Sequence, residues 1–190
     1  MRRARPLLIV VLLLAACETG PLNPVLVPAG PVAVGRMQLR TDTIWTRLPA
    51  KPPLQVWTAY GPLLDQLLLH DGLADGQPLV DTAEGRPRPL FRAALTGPEL
   101  AEFLLDSLRA SGAVDAALLG VRPQPFAGGE GIRAEFRYRQ PESGLAMRGV
   151  AAARVRDGRL VLIQLVAAED HYFPALLPAF EQLVASAVIA

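Results

Sequence analysis

The chain of 190 residues holds one cysteine, one lysine and two histidines, and each scarcity removes a class of chemistry. With Cys17 alone, no intrachain disulfide can form, so stability has to come from packing. His70 and His171 are too few for a typical zinc site unless carboxylates help, and nothing in the spacing brings them together. No HExxH, CxxC, GxSxG or phosphate-loop pattern occurs. The glycine-rich run from Phe126 to Gly131 lacks the Lys and Ser/Thr that would hold phosphate and Mg²⁺, and it reads as a turn before a strand. Neither a metal nor a cofactor is expected. Lys51 stands alone beside abundant Arg, Ala, Leu and Pro, a matter of composition that carries no functional inference.

What the chain does have begins at its N-terminus. The basic residues Arg2, Arg3 and Arg5 precede an unbroken apolar run from Leu7 to Leu14 and the small residues Ala15 and Ala16. That order is a signal peptide over residues 1–16. The run falls well short of the ~20 residues that cross a bilayer as a helix. Leu14-Ala15-Ala16-Cys17 resembles the lipobox of bacterial lipoproteins. The resemblance implies that Cys17 becomes the first residue, carries diacylglycerol on its thiol and makes the membrane a partner. A single acyl chain holds only marginally, at ~0.8 kcal/mol per buried CH₂, whereas several chains are durable. Glu18 stands where an aspartate favours inner-membrane retention in that family, which implies the outer membrane, facing the periplasm. The competing reading is an ordinary secretory signal cut after Ala16.

Losing residues 1–16 removes three arginines and leaves 16 basic against 18 acidic residues, so nucleic acid is not an expected partner. A chain of this length with 51% hydrophobic residues suits one domain with its own core and is too apolar to be disordered. Residues 17–31, with Pro21, Pro24, Pro28 and Pro31, read as a lipidated N-terminus and extended tether of up to ~40 Å, or else Val25 to Val27 pack on the domain. The globular part is expected over 32–190.

From residue 32 the pattern is β. Val32 to Leu39, Thr43 to Leu48 and Leu54 to Tyr60 are candidate strands. After the Gly61-Pro62 turn, Leu63 to His70 suits either a helix or a strand, with the flanking turn residues favouring strand. Residues 71–90 read as a long surface loop. Thr96-Gly97-Pro98-Glu99 has capping-box spacing, Thr96 accepting from a backbone N–H and Glu99 reaching back. Leu100, Phe103, Leu104 and Leu108 follow on one helical face, and Gly112 stops the helix. Ile132, Ala134, Phe136 and Tyr138 alternate with Arg133, Glu135, Arg137 and Arg139, giving a dry and a wet face. Leu145 to Arg156, the turn Asp157-Gly158 and the two-sided apolar run Leu160 to Val166 form a hairpin whose second strand should be central. A closing helix carries Leu176, Leu177, Phe180, Leu183, Val184 and Ala187 on one side, and Pro178 leaves its start open.

Strands, helix, strands, helix is an α+β order, an antiparallel sheet flanked by helices. With a Trp-bearing β region, a capped middle helix, a meander and a closing helix, the layout resembles the PsbP-like fold, an α/β/α sandwich found in photosynthetic extrinsic subunits and small bacterial envelope proteins. Val56-Trp57-Thr58, Gly61-Pro62-Leu63-Leu64-Asp65, Asp75-Gly76 and His171-Tyr172-Phe173 also resemble small proteobacterial lipoproteins. The resemblance covers most of residues 35–189 and implies a domain that binds or scaffolds rather than catalyses. The alternative is a periplasmic hydrolase or transferase near His171, where Tyr60, His171 and Tyr172 could close the rim of a cleft. The second candidate site is a basic face. Between Gly131 and Arg159 seven arginines oppose three acids, and Arg133, Arg137 and Arg139 on one strand could share a face with Arg148, Arg154 and Arg156 on the next. Such a face would suit an anionic envelope component or an acidic envelope protein; otherwise its charges are paired with acidic loop and helix residues.

Overall fold

The computed structural model describes residues 23–190. An eight-stranded antiparallel sheet forms its middle layer. In spatial order the strands are β1 (Val25–Val27), β4 (Trp45–Leu48), β5 (Gln55–Thr58), β6 (Asp65–Ala74), β10 (Arg159–Ala168), β9 (Ala146–Arg156), β8 (Gly129–Arg139) and β7 (Val114–Phe126). One face carries helix α1 (Gly97–Ala110). The other carries helix α2 (Tyr172–Ser186) and a small sheet ordered β11 (Val188–Ile189), β3 (Met37–Thr41), β2 (Gly30–Val34). This is an α+β sandwich with the sheet between two cores.

The residue pattern explains the layers. On β10, Leu160, Leu162 and Val166 enter the α1 core, while Val161, Ile163, Leu165 and Ala167 enter the α2 core, so the strand is apolar on both faces and lies fourth from one edge. Neighbouring β9 is rich in alanine, which lets both layers approach. Gly149 on β9 leaves room that the Phe136 ring of β8 fills. Asp157 and Gly158 both adopt positive φ, 50° and 70°, the two-residue turn whose twist matches the flanking strands. Among the described residues, the two cores draw on positions from 27 to 187.

Several expectations need correction. The domain begins before residue 32: Val25–Val27 pairs with β4, Val27 is buried, and Gly30–Val34 is a strand. Val32 to Leu39 is a hairpin rather than one strand. Gly35 turns it with φ +56°, and a Cβ there would collide with the Asp71 carboxylate, which accepts the Arg36 backbone N–H at 2.9 Å. Of the ambiguous run Leu63 to His70, Leu63 and Leu64 belong to the turn and the rest is strand, β6 running from Asp65 to Ala74. The segment after it is a cover rather than a surface loop, because Leu79 and Phe91 are buried in the α1 core and Phe91 lies 5.9 Å from Phe103. Strand β7 had no sequence counterpart. Its Gly120, Pro123 and Pro125 are tolerated because it is an edge strand with two register breaks. At the α1 cap, Glu99 does reach back to the Thr96 N–H at 2.8 Å, but the Thr96 hydroxyl also donates to Glu99, at 2.7 Å. Those bonds hold the Glu99 carboxyl below its usual range.

Candidate functional site

The register brings the six arginines to one face: Arg137 opposes Arg148 directly, and Arg133 and Arg139 alternate with them on β8 as Arg154 and Arg156 do on β9. Five of them are engaged internally. Arg133 is not on a wet face but buried, donating to Glu135 at 2.9 Å and to Glu181 of α2 at 2.7 Å. Its guanidinium lies 5.6 Å from the Phe180 ring centroid. Arg148 donates to Glu135 at 3.1 Å and covers Phe173. Arg154 crosses the space left by Gly129 to reach the carbonyls of Phe126 and Ala127, and Arg156 holds the carbonyl of Ile189. Arg139 donates to the Gly144 carbonyl at 3.0 Å but stays exposed, as does Arg137.

This network ties α2 to the sheet. Burial lowers the Arg133 pKa, but its hydrogen bonds to Glu135 and Glu181 outweigh that and raise it. The Arg133 hydrogen bond, with help from Arg148 and against burial, holds the Glu135 carboxyl below its usual range. A depressed carboxylate stabilises the fold above its unfolded pKa and loses that contribution as pH falls through the folded one. Melting temperatures of Glu135→Gln and the parent should therefore differ near pH 7, the variant being lower, and converge below about pH 4. A constant gap across that range would separate Glu135 from the acid response.

The aromatic trio is assembled. Tyr60 stacks on Tyr172 with centroids 5.1 Å apart, and the His171 ring meets Tyr172 edge-on at 5.0 Å. It closes no cleft among the main hollows, none of which it lines. Among the described residues no carboxylate lies within 4.0 Å of His171 to orient it. The turn beneath Tyr60 is set by Asp65, fully buried, which accepts from the Thr58 hydroxyl and from the backbone N–H groups of Ala59 and Tyr60 at 2.7–3.1 Å. His70 is buried elsewhere, on the α1 face of β6. Its Nδ1 accepts the Gly72 N–H at 3.1 Å, and burial lowers its pKa, against the pull of Asp71.

The hollow that sequence reasoning missed lies between α1 and the sheet. It encloses about 430 Å³. Leu68, Val166, Leu104 and Leu108 give it apolar walls, with Gln164 of β10 on its floor and Tyr138 of β8 at its side. Its mouth is framed by the turns at Pro62-Leu63 and Gln140-Pro141-Glu142, which are joined by a 2.7 Å bond from Gln140 Nε2 to the Leu63 carbonyl. Burial pushes the Tyr138 hydroxyl up to about 12, so it stays protonated. One signal was available: Gln164 interrupts the otherwise apolar run Leu160 to Val166, which a strand buried on both faces rarely carries without a reason.

Among the described residues no group of three His, Cys, Asp or Glu side chains could hold a metal, and no helix is long and apolar enough to cross a membrane. Neither a protein-family model nor a curated protein sequence matches the chain. Among solved structures it is similar to the cyanobacterial PsbP protein (CyanoP) of Synechocystis sp. PCC 6803. The two share 12% identity at a TM-score of 0.53, over 93% of this chain and 99% of that one. The fold is PsbP-like.

Proposed function

We propose that the chain is a non-catalytic, lipid-anchored binding or scaffolding protein of the bacterial envelope, held at the outer membrane through Cys17 and facing the periplasm. Cys17 lies outside the described residues, so the anchor rests on the signal peptide and lipobox read in the sequence. The supporting structural observation is where the fold begins. Strand β1 starts at Val25, and the eight steps from Cys17 can span at most ~30 Å even when fully extended. A lipid on Cys17 would hold the β1–β4 edge close to the bilayer rather than let the domain range on the longer tether expected from the prolines. The exposed Arg137 and Arg139 are what the basic face leaves for an anionic envelope component or acidic partner. A hydrolase or transferase centred on His171 has less support, since that residue is exposed, meets Tyr172 edge-on and has no orienting acid among the described residues.

Replacement of Cys17 by Ser tests the anchor. In cells, the parent should partition into the detergent phase of solubilised envelopes. The variant should appear as unprocessed precursor or as a soluble product. Equal detergent partitioning of parent and variant would overturn the reading.

A further inference from the structure

We infer that the hollow between α1 and the sheet is a binding site for a small, uncharged, largely apolar molecule that carries a hydrogen-bonding group. The first ground is Gln164. Its side chain forms part of the hollow's floor, the residue is only 2% exposed, and its Oε1 has no hydrogen-bond partner among the described residues. A buried amide oxygen left without a donor costs on the order of 1–3 kcal/mol relative to a satisfied one. In the middle of a strand whose other residues facing α1 are Leu160, Leu162 and Val166, a leucine would fill the position without that penalty. A carboxamide there is explained by something that binds it.

The remaining polar groups define what that something is. Ser107 Oγ donates to the Phe103 carbonyl and Ser111 Oγ to the Leu108 carbonyl, both at 2.8 Å. Each hydroxyl has spent its proton on the helix and turns lone pairs towards the hollow. With the Gln164 carboxamide and the Tyr138 hydroxyl, these give the hollow a few uncharged polar groups, donors as well as acceptors. Tyr138 stays neutral across the physiological range because burial disfavours its phenolate. No Lys, Arg or His lines the hollow, and its one charged residue is Glu142 at the mouth. An anion would lose its hydration here without gaining a cation, whereas a neutral hydroxyl or secondary N–H meets uncharged hydrogen-bonding partners. The volume falls within the range of small-molecule sites, roughly 300–1,000 Å³, and predominantly apolar walls with a few converging polar groups are typical of them.

The site is built from residues far along the chain from Cys17, and its test uses the full chain. Two fluorescent probes share one ring system. N-phenyl-1-naphthylamine is neutral and carries one N–H donor; 1-anilinonaphthalene-8-sulfonate adds a sulfonate. The neutral probe should bind saturably at one site per chain with a dissociation constant of about 10 µM or tighter, and the sulfonate at least about tenfold more weakly. Gln164→Leu, which removes the carboxamide but keeps the wall, should weaken the neutral probe about five- to tenfold while leaving the far-ultraviolet dichroism unchanged. Ser107→Leu, which fills the hollow from the helix with a good helix former, should abolish saturable binding. Non-saturable binding, equal affinity for both probes, or parent-like affinity in both variants would each overturn the inference and mark the contact as adventitious adsorption. Loss of the Cys17 anchor would alter none of these readouts.

Discussion

Phe180→Ala lowers the unfolding free energy by about 3–5 kcal/mol, the range for emptying a buried phenylalanine site. The side chain is fully buried in the core between α2 and the sheet, and the alanine cannot be compensated easily because the site is walled by β-strands that are hydrogen-bonded on both sides. A second loss adds to the first. Arg133 rests over the Phe180 ring while bonded to Glu135 and Glu181, so removing the ring exposes one side of a buried cation to a void. For a domain whose whole stability is of order 5–15 kcal/mol, the melting temperature should fall by roughly 6–20 °C. Phe180→Leu restores most of the volume and should cost less than about 2 kcal/mol. If Phe180→Ala melts with the parent, α2 does not present this face to the sheet.

Asp65→Ala should be comparably damaging, by about 3–5 kcal/mol, although it removes no apolar volume. Its two oxygens accept three hydrogen bonds, Oδ1 from Thr58 Oγ1 and the Tyr60 N–H, and Oδ2 from the Ala59 N–H. Alanine would leave two backbone donors and a hydroxyl facing a dry interior. Thr58 in turn accepts the Gly61 N–H at 2.9 Å, so the loss spreads through the turn that carries Pro62 and Leu63 to the mouth of the hollow. Asp65→Asn keeps one acceptor and sets an NH₂ against donors, so an intermediate loss is expected in denaturant unfolding. Equal stability of the parent and the alanine variant would mean that water satisfies this turn and that Asp65 has no structural part in it.

How far the sequence spoke for the structure depended on how completely each segment's surroundings are apolar. The hairpin β9–β10 and helix α1 were legible because a buried strand and an amphipathic helix impose their periods directly on residues such as Leu160 to Val166 and Leu100 to Leu108. Strand β7 was illegible because an edge strand tolerates Pro123 and Pro125, which read as breakers. The small sheet was hidden because Val32 to Leu39 reads as one β-prone run around a lone Gly35, and the Asp71 carboxylate that holds the turn lies 36 residues further on. Arginine misled in a specific way. Period 2 placed the six on one face correctly, but it could not tell that Glu181 on a helix 48 residues later in sequence would bury Arg133. The aromatic trio does meet, but it lines none of the main hollows, and the hollow under α1 required the depth of the helix over the sheet, a tertiary quantity that no single segment encodes.

The claim on which the functional account stands is that Cys17 is the first residue of the finished protein and carries lipid. The most direct measurement is the intact mass of the protein purified from the envelopes of the cells that make it. The account predicts the mass of residues 17–190 plus a diacylglyceryl group and any further acyl chain on the new N-terminus, with the addition confined to the peptide that begins at Cys17. A mature chain beginning at Cys17 without added mass, or one that keeps residues 1–16, would contradict it.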